Sequence, residues 1–124
     1  MKKQIKTEQG VCNASKSARE IKVIRKEIQK DRWIAETSRW ISAIQDPTRF
    51  KIVYLLYRYE QLCGCDLANI LGVSHSAISQ HLRKLKDMQL LSQVRRGQTL
   101  FYGLSHSKFN EFVARIFQNE EILA

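Results

Sequence analysis

Residues 63–85 read CGCDLANILGVSHSAISQHLRKL, and this stretch decides the fold. A short helix is predicted from Cys63 to Leu71, and Gly72 suits the left-handed conformation that often ends a helix. Ser74 then supplies a typical N-cap for a second helix. The inward face of that helix has apolar residues at helical spacing: Ala77, Ile78, Leu82 and Leu85. Two helices joined by so tight a turn predict a helix-turn-helix.

The outward face of the second helix is polar and basic. It carries no carboxylate before Asp87 and presents these side chains: His75, Ser76, Ser79, Gln80, Arg83 and Lys84. Such side chains read base edges in the major groove, and arginine and lysine also neutralise phosphates. We therefore expect Ser74 and these six residues to contact DNA, although an ordinary amphipathic surface helix would show the same pattern.

Other elements are predicted on both sides of this unit. A helical pattern starts at Ser17 and continues to Ile44, and Asp46-Pro47-Thr48 has the capping residue and the proline of a further helix start. Downstream, two strand-like runs flank Arg95-Arg96-Gly97-Gln98, where Gly97 suits a hairpin turn. The order α-α-α-α-β-β-α predicts a mainly α fold with a β-hairpin wing (α+β), the winged helix-turn-helix.

The predicted wing and the last helix each have a candidate role. Arg95 and Arg96 at the hairpin tip would contact DNA phosphates, or else form a solvated turn. The last helix, from about Ser107, has an apolar stripe: Phe109, Phe112, Val113 and Ile116. This stripe either docks on the core or forms a subunit interface, and we expect it to contribute to a dimer interface because it is too apolar to face water.

Composition and charge favour an anionic partner. The 124 residues are 44% apolar with a net charge of +9, which favours one compact domain whose partner is nucleic acid or a membrane surface. Residues 1–30 hold nine Lys/Arg and three Glu and are predicted as a basic N-terminal arm and helix extension, the first fifteen being flexible. Residues 31–124 would form the DNA-binding and dimerisation domain. Without a membrane-length apolar stretch or a secretory signal, we expect a cytoplasmic protein with no membrane partner.

Two cysteines at a helix start point to a thiol site. Helix N-termini favour the thiolate form, so Cys63 and Cys65 are candidate ligands for arsenite, cadmium, lead and similar soft species. Side chains at i and i+2 of a helix point to different sides, so joint binding would distort the helix start, which Gly64 makes easier. Cys12 in the arm is the candidate third ligand, from the same or the other subunit. His75 is expected to face DNA or solvent, and His81 to be packed in its helix.

The segments 62–73 and 78–85 resemble the ArsR/SmtB metal-sensing repressors, and Asp46–Ile52 matches that family's helix-opening motif. The similarity covers about residues 33–117. It implies a homodimer on a palindromic operator, released by a metal ion or arsenite, with terminal helices in the dimer interface. The family's cadmium/lead sensors use two arm cysteines where this chain has only Cys12, and its arsenic sensors often have a third cysteine where this chain has Ala68. Of the family's terminal-helix zinc ligands, only His106 is present, so no zinc site is expected there.

The sequence thus predicts a transcriptional repressor that leaves its operator when cysteine thiolates bind arsenite, cadmium or lead. Two alternatives stay open: a thiol-redox-responsive regulator, in which Cys12 forms a disulfide with one of the pair, and a non-inducible DNA-binding protein. Enzymatic function is not expected, because the chain has no CxxC motif, no phosphate-binding glycine loop and no nucleophile–base constellation.

Overall fold

The computed structural model describes residues 3–7, 10–105 and 107–118, and the chain divides into two compact units at residues 38 and 39. The first unit begins with an antiparallel hairpin of β1 (Lys3–Thr7) and β2 (Gly10–Ala14), in which Ile5 lies opposite Cys12. The sequence predicted a flexible arm here and gave no indication of this hairpin. Backbone pairing does not depend on the apolar periodicity whose absence led to that prediction.

The long helical pattern from Ser17 to Ile44 forms two helices, α1 (Ala18–Lys30) and α2 (Arg32–Ile44). Ser17 caps α1 in a capping box, with its hydroxyl 3.2 Å from the Glu20 N–H nitrogen. Asp31 separates the helices in an extended conformation, and its carboxylate accepts the Ile34 N–H at 3.1 Å. Asp31 therefore ends one helix and starts the next, a break that apolar spacing does not reveal.

The second unit is a winged helix-turn-helix, as predicted. After the end of α2 its elements are α3 (Pro47–Tyr59), β3 (Leu62–Cys63), α4 (Gly64–Leu71), α5 (His75–Asp87), β4 (Leu91–Arg96), β5 (Thr99–Leu104) and α6 (Ser107–Phe117). The sheet is antiparallel in the order β3-β5-β4, with β4 and β5 as the wing. The two-residue β3 was not predicted, and it joins the start of the helix-turn-helix to the wing.

Local signals fix the helix ends in this unit. Asp46 caps α3 by accepting the N–H groups of Thr48 and Arg49 at 2.9 and 3.1 Å. Gly72 ends α4 in the left-handed region, with φ 65°. Ser74 caps α5 through its hydroxyl, which accepts the Ala77 N–H at 3.1 Å. These caps confirm the helix boundaries expected from the sequence.

The core lies between the helices and the wing and is wholly apolar among the described side chains. It includes Phe109 and Val113 of α6, both fully buried, and the Phe109 ring packs edge-on to Trp40 at 5.9 Å between centroids. Helix α6 therefore docks on the core. Of its predicted interface stripe, Phe112 is half-buried and Ile116 is 37% exposed. No helix in the described part of the chain is long and apolar enough to cross a membrane.

Candidate thiol site and DNA-reading surface

Cys63 belongs to two elements at once. It is the last residue of β3, where it lies opposite Phe101 of the wing, and it is the N-cap of α4. Its sulfur accepts the Asp66 N–H at 3.4 Å, and the Asp66 carboxylate accepts the Cys63 N–H at 3.4 Å. A thiol thus occupies the place that serine or threonine usually takes in a capping box. A ligand that binds this sulfur would therefore act at a helix cap.

Cys63 and Cys65 both line one open cleft of about 310 Å³. Neither is in a disulfide; Cys63 is half-buried and Cys65 exposed. The remaining walls come from α5 and the wing, with these lining residues: His75, Ile78, Ser79, Leu82, Arg95, Gln98, Thr99, Leu100 and Tyr102. The thiol pair therefore opens into a space bounded by both elements expected to read DNA.

The third predicted ligand lies in the other unit. The backbone of Cys12 belongs to the β1–β2 hairpin. Ligation by Cys12 stays a prediction. Among the side chains that the structure describes, no three His, Cys, Asp or Glu residues are grouped closely enough to hold a metal ion. The cleft itself supplies two soft sulfur donors, a set that suits a thiophilic species and not a hard cation. His106 lies outside the described residues.

The outward face of α5 has the exposure expected of a recognition helix. All seven predicted contact residues on α5 and its cap are exposed: Ser74, His75, Ser76, Ser79, Gln80, Arg83 and Lys84. Ile78, Leu82 and Leu85 on the opposite face are buried. The amphipathic assignment of this helix is therefore confirmed, while contact of these residues with DNA stays a prediction.

His81 is packed at the inward edge of α5, as expected. Its Nδ1 lies 3.5 Å from an Arg49 guanidinium nitrogen and 3.9 Å from the Asp46 carboxylate. Arg49 also donates through Nε to the Ala43 carbonyl at 2.7 Å. The pKa of the Asp46 carboxyl lies below its ordinary value, mainly because the carboxylate accepts the backbone N–H of Arg49. The charge of His81 makes a smaller contribution in the same direction. This cluster ties α5 to the junction of α2 and α3.

The two wing arginines have different environments, which the sequence did not indicate. Successive residues of a strand point to opposite faces. Arg95 lines the cleft, whereas Arg96 donates to the Gln61 side-chain carbonyl at 2.9 Å and lies 5.2 Å from the centroid of the Phe101 ring. Gln61 and Phe101 were missed because their importance depends on strand register, and β3 is too short to give a sequence signal.

Comparisons with known proteins agree with this architecture. The family model described as "Bacterial regulatory protein, arsR family" matches residues 46–93. A cadmium resistance transcriptional regulatory protein CadC homolog of Staphylococcus aureus is 32% identical over 89 residues, covering 72% of this chain and 74% of that protein. An arsenical resistance operon repressor of Staphylococcus xylosus is 34% identical over 88 residues, covering 71% and 80%.

The fold is also that of a solved regulator. The structure of HlyU from Vibrio cholerae N16961 matches with a TM-score of 0.67 and 26% identity, covering 73% of this chain and 97% of that one. The relatives are transcriptional regulators, which confirms the expectation of a non-enzymatic, DNA-binding protein. The capped helix-turn-helix, the wing and these similarities together show that the chain belongs to the arsR family of bacterial transcriptional repressors.

Proposed function

We propose that this protein represses transcription as a homodimer on operator DNA and releases the operator when Cys63 and Cys65 bind a thiophilic metal ion or metalloid. The observation that carries this proposal is the shared cleft, which Cys63 and Cys65 line together with residues of α5 and the wing. We place this action in the cytoplasm, where the reducing thiol pool keeps cysteines available as ligands.

The chemistry of the thiol pair supplies the switch. Thiolates bind arsenite, cadmium and lead tightly because both partners are soft, and each such species accepts at least two sulfurs. We expect binding to compete with the hydrogen bond that the Cys63 sulfur accepts from the Asp66 N–H at 3.4 Å. Loss of an N-cap costs a helix about 0.5–2 kcal/mol, similar to the roughly 1–3 kcal/mol of ordinary allosteric coupling. Loss of the cap contributes to release as far as DNA binding depends on the capped start of α4.

The relatives support this class of inducer. The S. aureus relative is named for cadmium resistance and the S. xylosus relative for arsenical resistance. We propose Cys12 as a third ligand, since three thiolates make a tighter site than two. A trigonal site of this kind suits arsenite or lead at least as well as cadmium, which tends to take a fourth ligand.

DNA contact is proposed for the exposed face of α5 and for the wing. We propose that Gln80 and Arg83 contact base edges and that Arg95 and Arg96 contact phosphates. For the dimer, the exposed Ile116 and half-buried Phe112 of α6 are the candidate contacts, while the buried Phe109 and Val113 hold α6 in place from within the protomer.

A titration of operator release tests the proposal. A duplex selected from random DNA by binding to the metal-free protein is labelled, and fluorescence anisotropy is followed as arsenite, Cd²⁺, Pb²⁺ or Zn²⁺ is added. We expect release by at least one of the first three at concentrations near that of the protein. Cys12→Ser should shift the response to higher concentration without abolishing it. Failure of all four to release DNA would overturn the inducible function.

The redox alternative is tested in the same assay. A disulfide between residues i and i+2 is strained, so oxidation would have to join Cys12 to Cys63 or Cys65. Diamide should therefore leave the operator bound if the protein is a sensor of thiophilic ions. Release by diamide that Cys12→Ser removes would favour the redox regulator instead.

A further inference from the structure

We propose that occupation of Cys63 acts on the wing as well as on α4, through Phe101 and Gln61, and that Gln61 is a positioning residue for Arg96. This inference rests on the proposed function, because it requires the thiol pair to bind a ligand. It identifies the wing as the element through which that binding is transmitted to DNA.

The pairing of β3 with β5 connects Cys63 to the wing, and it is short. Strand β3 has two residues, and its register pairs Leu62 with Tyr102 and Cys63 with Phe101. One of the two paired positions is thus a proposed ligand. A displacement at Cys63 therefore acts on one of the two positions that join β3 to β5.

Both partners of the Arg96 guanidinium adjoin Cys63. The side chain of Gln61, two residues before Cys63, accepts a hydrogen bond from the Arg96 guanidinium at 2.9 Å. The guanidinium also lies over the ring of Phe101, which is the residue opposite Cys63 in the sheet. A hydrogen bond and a cation–π contact together restrict an otherwise freely rotating side chain. Movement of Cys63 therefore disturbs both restraints on Arg96.

The segment before β3 is packed tightly against the wing. A Cβ atom at Gly103 of β5 would lie 3.0 Å from the Glu60 carbonyl oxygen and 3.8 Å from Cγ of Gln61. The backbone turns sharply here, with Glu60 at φ 64° and the Gln61 N–H donating to the Tyr59 carbonyl at 2.7 Å. Because the segment and β5 have little space between them, they are expected to move together.

We expect chelation by the two cysteines to displace Cys63. Cys63 is the extended N-cap and Cys65 lies in the first turn of α4, so a ligand bound to both sulfurs spans the junction of β3 and α4. Gly64 lies between them, and a Cβ there would meet nothing closer than Leu82 Cδ1 at 4.0 Å. Space beside Gly64 therefore leaves room for a rearrangement of the helix start, which we expect to reach the Cys63–Phe101 pair.

Substitutions at Gln61 test this relay. Gln61→Ala removes the acceptor for Arg96, and Gln61→Glu restores an acceptor. Gln93→Ala is the matched control, because Gln93 of β4 accepts a hydrogen bond of the same length, 2.9 Å, from Lys86 of α5. The probe is phenylarsine oxide, whose arsenic forms two bonds to thiol sulfurs as one water leaves, and intact mass confirms the adduct.

The measured quantity is the ratio of operator Kd with and without the adduct. We expect Gln61→Ala to lower this ratio about threefold or more, a typical effect of removing a coupling residue. Gln61→Glu should restore the wild-type ratio, and Gln93→Ala should leave it unchanged. In the wild type, the adduct should also accelerate amide exchange across 99–104 but not across 107–117.

The outcomes separate the relay from the proposed function. Release by the wild-type adduct with an unchanged ratio in Gln61→Ala would overturn the relay and leave the proposed function standing. Unaltered exchange across 99–104 in the adduct would also overturn the relay. If phenylarsine oxide forms no adduct at Cys63 and Cys65, or the adduct releases no DNA, the proposed function fails and the relay with it.

Discussion

Helix α5 begins at Ser74, whose hydroxyl accepts the Ala77 N–H at 3.1 Å, whereas α4 begins at Cys63, whose sulfur accepts the Asp66 N–H at 3.4 Å. In both caps the side chain accepts the N–H three residues on, but the acceptor atoms differ, and only the α4 cap has the reciprocal bond from the Cys63 N–H to Asp66. A serine hydroxyl does not bind soft ions, and a thiolate does. The helix expected to read DNA thus has a permanent cap, and the helix that supports it has a cap that a ligand can remove.

A third cap completes the comparison. Asp46 starts α3 with a carboxylate that accepts two N–H groups, so its capping strength depends on proton binding. Among these three helices, the oxygen caps hold the scaffold at neutral pH, and only the sulfur cap responds to a thiophile. The proposed inducer should therefore perturb α4 and the wing while leaving the starts of α3 and α5 intact.

The largest expected effect comes from making the two caps of the helix-turn-helix alike. Cys63→Ser gives α4 a hydroxyl cap like that of α5, so DNA binding should persist while release by arsenite, cadmium or lead is lost. An ordinary coupling of about 1–3 kcal/mol corresponds to a loss of roughly 5–150-fold in the response. Anisotropy titration measures this change. A Cys63→Ser protein that responds like the wild type would show that the cap is not the sensor.

The second prediction contrasts an exposed side-chain amide of α5, Gln80, with one of α4, Asn69. Gln80→Ala on α5 should cost about 1–3 kcal/mol in operator binding if Gln80 makes a bidentate base contact, with little effect on random DNA. Asn69→Ala on the exposed side of α4 is the control and should affect operator and random duplexes alike. Equal losses for both DNAs in Gln80→Ala would remove this residue from the base-reading surface.

The third prediction concerns the stability of the caps themselves. Ser74→Ala should lower the free energy of unfolding by about 1 kcal/mol, because α5 loses the hydroxyl that accepts the Ala77 N–H. Cys63→Ser keeps an acceptor at the start of α4 and should change stability by less than about 0.5 kcal/mol. Urea denaturation compares the two variants. A larger loss in Cys63→Ser would indicate that the sulfur stabilises the fold by packing more than by capping.

The smallest expected effect is the acid response of the α3 cap. Because the pKa of Asp46 is lowered in the folded protein, its carboxylate adds stability above the ordinary value of 3.8, and this stability is lost as pH falls through the lowered value. Asp46→Asn should flatten the decrease in stability below about pH 4. Thermal melts between pH 2 and 6 measure it. An unchanged acid profile would assign that decrease to other carboxylates.

The sequence predicts the helix-turn-helix well because its signals are local. Ser74, Gly72 and Asp46 each define a helix end through the first neighbouring turn, and apolar spacing separates the two faces of α5. The break at Asp31 was missed because its side chain competes with a continuous apolar pattern. The fully buried position of Phe109 was not resolved either, since a stripe facing the core and one facing a second subunit have the same spacing.

Some functional residues could likewise be identified from local sequence signals, and others depend on contacts between distant segments. Cys63 and Cys65 were identified from their spacing, and both line one cleft in the structure, while their role as ligands stays a prediction. Gln61 and the separate environments of Arg95 and Arg96 depend on how β3 pairs with β5, which is a contact between distant segments. Such contacts follow from the packed fold and have no periodic signal in the chain.

The most direct test of the removable sulfur cap is operator release in the Cys63→Ser/Cys65→Ser variant. The wild type and the variant are titrated with arsenite, Cd²⁺ and Pb²⁺ against the same labelled duplex, with the melting temperature as a check on folding. We predict that the variant binds DNA with near wild-type affinity and is released by none of the three. Release of the variant at wild-type concentrations of any of them would contradict the assignment of Cys63 and Cys65 as the sensor.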